Sequence, residues 1–112
     1  MKIRCNREHL ADRLAQAARA ASTRANLQSA AHVRLTAESS ELPVELAATD
    51  LEMTLRVPLD ADVDQPGSVL LPAKIAPELI RALNGETVEL SAESDGRVLV
   101  SAGSSSYTLY GL

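Results

Sequence analysis

The sequence predicts one α+β domain over residues 1–112, made of two β-α-β-β-β units with two helices packed on antiparallel sheets. Three observations carry that expectation. Leu51, Met53, Leu55, Val57 and Leu59 take every second position, with Glu52, Thr54, Arg56 and Pro58 between them, the period of a strand with one buried face. Two stretches, about 7–21 and 72–83, carry apolar residues at helical spacing. The order strand–helix–strand–strand–strand then occurs twice, in halves of about 1–59 and 66–112.

Met1–Asn6 alternates and reads as the first strand. Asn6 is a favoured N-cap for a helix running to about Ala21. Its apolar stripe is Leu10, Leu14, Ala17, Ala18 and Ala21, while Arg13, Gln16 and Arg19 project elsewhere. Ser22–Ser29, with Arg24, has loop composition. Strand Ala31–Ala37 follows, and Glu38–Glu41 turns into a hairpin whose arms begin at Val44 and Leu51 around Thr49-Asp50. Asp60–Gly67 reads as an acidic connector and Ser68–Leu71 as a short apolar strand. The second helix has Ile75, Leu79, Ile80 and Leu83 on its apolar face and Lys74, Glu78 and Arg81 opposite. Pro77 fits it only in the first turn, where amides lack intrahelical partners, and Asn84-Gly85 ends it. Thr87–Glu93 and Arg97–Ala102 pair around Ser94–Gly96, and Gly103–Ser106 turns into a last strand, Tyr107–Tyr110.

Composition narrows the chemistry. Hydrophobic residues are 46% of the chain, yet there is no Phe or Trp and only two Tyr. The core is therefore aliphatic, and gripping single strands by base stacking is nearly excluded. One cysteine, Cys5, forms no internal disulfide and fits a reducing compartment. Without a membrane span or signal segment, a soluble cytoplasmic protein is expected.

The net charge of −4 is unevenly spread. Residues 1–34 hold Lys2, Arg4, Arg7, Arg13, Arg19, Arg24 and Arg34 against Glu8 and Asp12, a net +5, leaving −9 for the rest. By element, the helices and the loop after the first carry a positive excess and the strands a negative one, which points to two faces of opposite sign.

No enzyme constellation is visible. His9 and His32 lack ligands at metal spacing. Asp50 and Glu52 read as a turn residue and a wet strand residue. Asp60, Asp62 and Asp64 begin like a calcium loop, but Gln65 and Leu71 stand where that loop needs Gly and Glu. Cys5 alternates with Ile3 as a core residue, and Ser104–Ser106 has no base nearby.

Met1-Lys2-Ile3, Arg7-Glu8-His9-Leu10, Thr49-Asp50-Leu51-Glu52-Met53, Pro66-Gly67 before Val69–Lys74, and Gly103 with Tyr107-Thr108-Leu109 together resemble the bacterial replicative sliding clamp, the β subunit of DNA polymerase III, in its first domain only. The resemblance implies a DNA-clamp (processivity) fold and no catalysis. It implies domains closing a ring around duplex DNA, with helices lining the hole, so that a replicative polymerase is tethered to its template. By position, Arg24 corresponds to a family residue that contacts DNA, and Lys74 lies near the hole and the subunit interface. Leu79, Leu83 and Tyr107, with Leu109 on the same last strand, stand at interface positions. Arg13, Arg19 and Arg81 are nominated for DNA from helix geometry alone. The departures are the polar Ala25–Ala30 segment and Ser104 and Ser106, where the family often has basic residues. The family's peptide pocket lies in later domains, so polymerase and clamp-loader binding is expected only with those. The expected partners are duplex DNA, without sequence specificity, and other clamp domains or further copies of this chain; no cofactor, metal or membrane is expected. The alternative is a single-domain relative that caps a clamp interface and regulates ring assembly.

Overall fold

A computed structural model describes residues 1–21 and 31–110. The expected loop Ser22–Ser29, and Arg24 with it, lies outside the described residues. Nine strands and two helices follow in order among the described residues: β1 (Lys2–Asn6), α1 (Arg7–Ala18), β2 (His32–Ala37), β3 (Val44–Thr49), β4 (Thr54–Leu59), β5 (Asp62–Gln65), β6 (Gly67–Pro72), α2 (Ala76–Ala82), β7 (Thr87–Ala92), β8 (Arg97–Ala102) and β9 (Ser105–Tyr110).

The strands form two antiparallel sheets, β5-β1-β7-β8-β9 and β4-β3-β2-β6. Divided into the runs β1–β4 and β6–β9, the chain exchanges its first strands. β1 pairs with β7, in the second run, and β6 pairs with β2, in the first. The fold is thus the α+β arrangement of two β-α-β-β-β units.

Local chemistry explains the helix start. Asn6 is extended (φ −66, ψ 132), and its side-chain oxygen accepts a hydrogen bond from the His9 amide at 2.9 Å. The helix is regular to Ala18, shorter than the expected Ala21; Ala20 and Ala21 continue with amide bonds to Ala17 and Ala18 three residues back, a tighter turn. Leu10, Ala11, Leu14 and Ala17 are buried, together with Ala20 beyond the helix. Ala18 and Ala21, expected on the stripe, are only half-buried. α2 opens with Pro77 in its first turn, as its missing N–H requires, and starts at Ala76. Ile75 therefore precedes the helix and is 50% exposed instead of joining the apolar face.

Two expectations along the strands need correction. Alternation puts a buried strand from Leu51, but β4 begins at Thr54, with Leu51 69% and Met53 53% exposed. Turn chemistry wins over periodicity. The Asp50 carboxylate accepts from the Glu52 and Met53 amides (2.9 and 2.8 Å), while the Thr49 hydroxyl accepts from the Leu51 amide and donates to the Met53 carbonyl. The second correction is the acidic connector, which contains β5. Val63 stands opposite Ile3 on β1, and Arg4 reaches Asp64 at 3.0 Å.

The core is aliphatic, as composition requires: Ile3, Leu10, Leu14, Leu35, Leu46, Leu59, Leu71, Ile80 and Leu90 are its largest fully buried side chains. α1 lies against β1–β4 and beside α2, so the helices form one layer over the sheets.

Candidate nucleic-acid interface

The helix layer holds the basic residues that the sequence nominates, but in different circumstances. Arg19 and Lys74 are exposed, and no ion pair engages either among the described residues. Arg13 is half-buried and donates to the Gln16 side chain at 3.1 Å, which leaves its charge unneutralised. Arg81 is exposed but donates to Asp12 across the helix pair at 3.0 Å. Its charge is partly spent inside the layer.

Arg7 has a structural role in the helix layer that sequence reasoning misses. Its Nε donates to the Gly85 carbonyl at 2.7 Å, and Nη1 to the carbonyls of Arg81 (3.0 Å) and Ile80 (3.5 Å). Its backbone amide donates to Glu86. One guanidinium thereby satisfies the carbonyl end of α2, where the helix dipole favours a cation. The only hint in the sequence is that a cation in the first turn of α1 gains nothing from that helix's own dipole.

The four interface nominees separate as well. Leu83 (3% exposed) and Leu109 (5%) are buried in the domain's own core, and Leu79 packs against that core while half-exposed. Tyr107 is 38% exposed on β9, an edge strand. Leu83 and Leu109 thus serve the domain's own core, and Tyr107 and Leu79 offer surface.

The remaining titratable groups act in architecture. Burial, reinforced by nearby Asp62, pushes the Cys5 thiol up to about 12, so it is no nucleophile. Asp95 is held below the usual carboxylate range by the Arg97 backbone amide and then its side chain, which fix the β7–β8 turn. His9 Nε2 accepts from the Asp60 amide at 3.1 Å, joining α1 to the corner after β4. Among the described residues no cluster of His, Cys, Asp or Glu is arranged to hold a metal, and no helix is long and apolar enough to cross a membrane.

The family model for the DNA polymerase III β subunit, N-terminal domain, matches residues 1–112. The chain belongs to that family. Among curated relatives, the β sliding clamp of Streptomyces coelicolor is 37% identical over 113 aligned residues, which cover 100% of this chain and 29% of that protein. A solved DNA polymerase sliding clamp from Caulobacter crescentus superposes with a TM-score of 0.89 at 29% identity, covering 100% of this chain and 30% of that one. The sliding clamp from Bacillus subtilis gives 0.90 at 21% identity, with 100% and 31% covered, and that match speaks for the fold alone. The β-subunit domain therefore spans about 30% of the length of the clamps it matches.

Proposed function

We propose that this clamp domain is one segment of a ring around duplex DNA that holds a replicative polymerase to its template, with no chemical step of its own. The observation that carries the reading is the match of the clamp family over the whole chain, which fits the segregation of positive charge to the helix layer. Arg13, Arg19, Lys74 and, by resemblance, Arg24 face the phosphates. Such contacts attract DNA without reading bases, so the ring can slide. Acidic strands on the outer side keep DNA from binding there. Ring closure uses strand edges: β9, with Tyr107 and Leu79, meets the neighbouring domain.

The test combines solution mass with retention on nicked circular duplex. Assembly, together with retention that is lost when the circle is linearised, is the expected result. Replacing Arg19 and Lys74 by Glu should weaken retention, whereas Arg56→Glu, on the strand side, should not. A strict monomer that neither assembles nor joins a full clamp sinks the reading.

A further inference from the structure

The turn that ends α2 joins two residues whose chemistry the fold leaves unrestrained. Leu83 departs from the helix in an extended conformation (φ −74, ψ 152), and Asn84 and Gly85 are both exposed before β7 begins at Thr87. Among the described residues no hydrogen bond engages the Asn84 side chain or the Gly85 amide. Gly85 sits at φ 102, and a Cβ built there would meet nothing closer than the Gly103 amide nitrogen at 3.9 Å. A side-chain amide thus stands one residue before a free, unshielded peptide nitrogen, within reach of a five-membered ring. Two comparable pairs in the same domain are restrained. The Asn6 side chain accepts from the His9 amide at 2.9 Å, while the Arg7 amide, its would-be attacker, donates to the Glu86 carbonyl at 2.8 Å. Asp95 has both carboxylate oxygens bound by Arg97 (3.1 and 2.6 Å), and the Gly96 amide donates to the Glu93 carbonyl at 3.2 Å.

We infer that Asn84 is a site of spontaneous covalent modification, converting through a cyclic imide to aspartate and isoaspartate. The Gly85 nitrogen gives its proton to water or hydroxide and attacks Asn84 Cγ. The bond from Cγ to the side-chain nitrogen breaks, and that nitrogen leaves as ammonia. Water then opens the imide, at the main-chain carbonyl to give isoaspartate or at the side-chain carbonyl to give aspartate. In sum one water is consumed, ammonia leaves with the new acid's proton, and a carboxylate remains; no oxidant or cofactor takes part. The position gives this change a structural consequence. Arg7 Nε donates to the Gly85 carbonyl at 2.7 Å, and the same guanidinium serves the carbonyls of Ile80 and Arg81. Aspartate keeps the main chain at its native length. Isoaspartate routes it through the side-chain methylene just before the carbonyl that Arg7 holds, and so disturbs the junction of α1 with α2.

The experiment incubates the 112-residue protein, native and urea-unfolded, in mildly alkaline buffer and follows its proteolytic peptides by mass spectrometry. The peptide holding Asn84 should gain the mass of OH in place of NH2, and part of it should accept methyl groups from an isoaspartate-specific carboxyl methyltransferase. Conversion in the native protein should run within about threefold of the unfolded chain, because the fold does not hold the reacting groups apart. Asn6 should convert at least about tenfold more slowly in the native protein than in the unfolded chain, since its partners must first open. The rate at Asn84 should rise with pH, as the attacking nitrogen must lose its proton. Asn84→Gln, whose side chain would need a six-membered ring, should abolish the gain; amide spectra verify that the variant is folded. Protection of Asn84 by folding of tenfold or more, faster loss at Asn6 than at Asn84, or a mass gain that survives in Asn84→Gln each overturn the proposal. The isoaspartate form, resolved by chromatography, should show a lower urea midpoint than Asn84→Asp. Equal midpoints overturn the consequence assigned to the Arg7 contact.

Discussion

Arg7 does more for the helix layer than its place in the chain suggests. It is 17% exposed, and its guanidinium reaches three carbonyls at the end of α2. Truncation leaves those carbonyls short of a charged donor, so Arg7→Ala should cost about 1.5–3 kcal/mol, read as a lower urea midpoint at unchanged slope. Arg7→Lys should recover little, since an ammonium cannot serve the fork of acceptors. Cys5 supports a second prediction. With its thiol raised to about 12, thiol reagents at pH 8 should modify the native protein far more slowly than the urea-unfolded chain. The sign for stability follows from proton linkage. The folded thiol keeps its proton while the unfolded one ionises near 9, so stability is intact below pH 9 and falls as pH rises toward 12. Replacing Cys5 by Ala or Val should remove that alkaline loss.

The tip between β3 and β4 shows how an element can defy its own periodicity. Leu51 sits at φ 79, a conformation that side chains other than glycine resist. Leu51→Gly should therefore be neutral or stabilising in thermal melts, whereas glycine at an ordinary strand position such as Leu55 costs roughly 0.5–1 kcal/mol from backbone entropy alone. Asp50→Ala, which strips two amides of their acceptor, should lower stability by about 1 kcal/mol. Much of the architecture was legible in sequence because its signals are local: the Asn6 cap, the Pro77 first turn, the Ser94–Gly96 loop. What escaped depends on distant partners. Asp62–Gln65 is too short and too charged to read as a strand until β1 is known to lie beside it. Met53 continues an alternation that its own turn cancels. In the site, the polar pattern anticipated the exposure of Arg19 and Lys74, although Lys74 lies in the turn before α2 and not on the helix. It did not anticipate the engagement of Arg81 by Asp12, because that partner lies on the other helix, 69 positions away.

At the scale of the molecule, the pairing of Arg81 with Asp12 sets how much charge the helix layer can present. If the layer faces DNA, Asp12→Asn frees that guanidinium. In an assembled ring the slope of log affinity against log salt should then steepen by about 0.9 for each additional phosphate neutralised. Arg81→Ala in the native background should change it little. An unchanged slope for Asp12→Asn would place Arg81 outside the DNA-facing surface.

The exchange of first strands has a consequence for how the chain reaches this structure. Neither run can finish a sheet alone, since β7 lacks an inner neighbour until β1 arrives and β2 until β6 arrives. Cut between Leu59 and Pro66, the chain would yield two fragments, each one strand short and each carrying the other's missing piece. Apart they should remain largely unfolded; mixed, they should recover a common native state. In the intact chain, Lys2 must find Ser91 before the larger sheet closes, so loop closure comes late and the domain should fold as one slow, all-or-none unit.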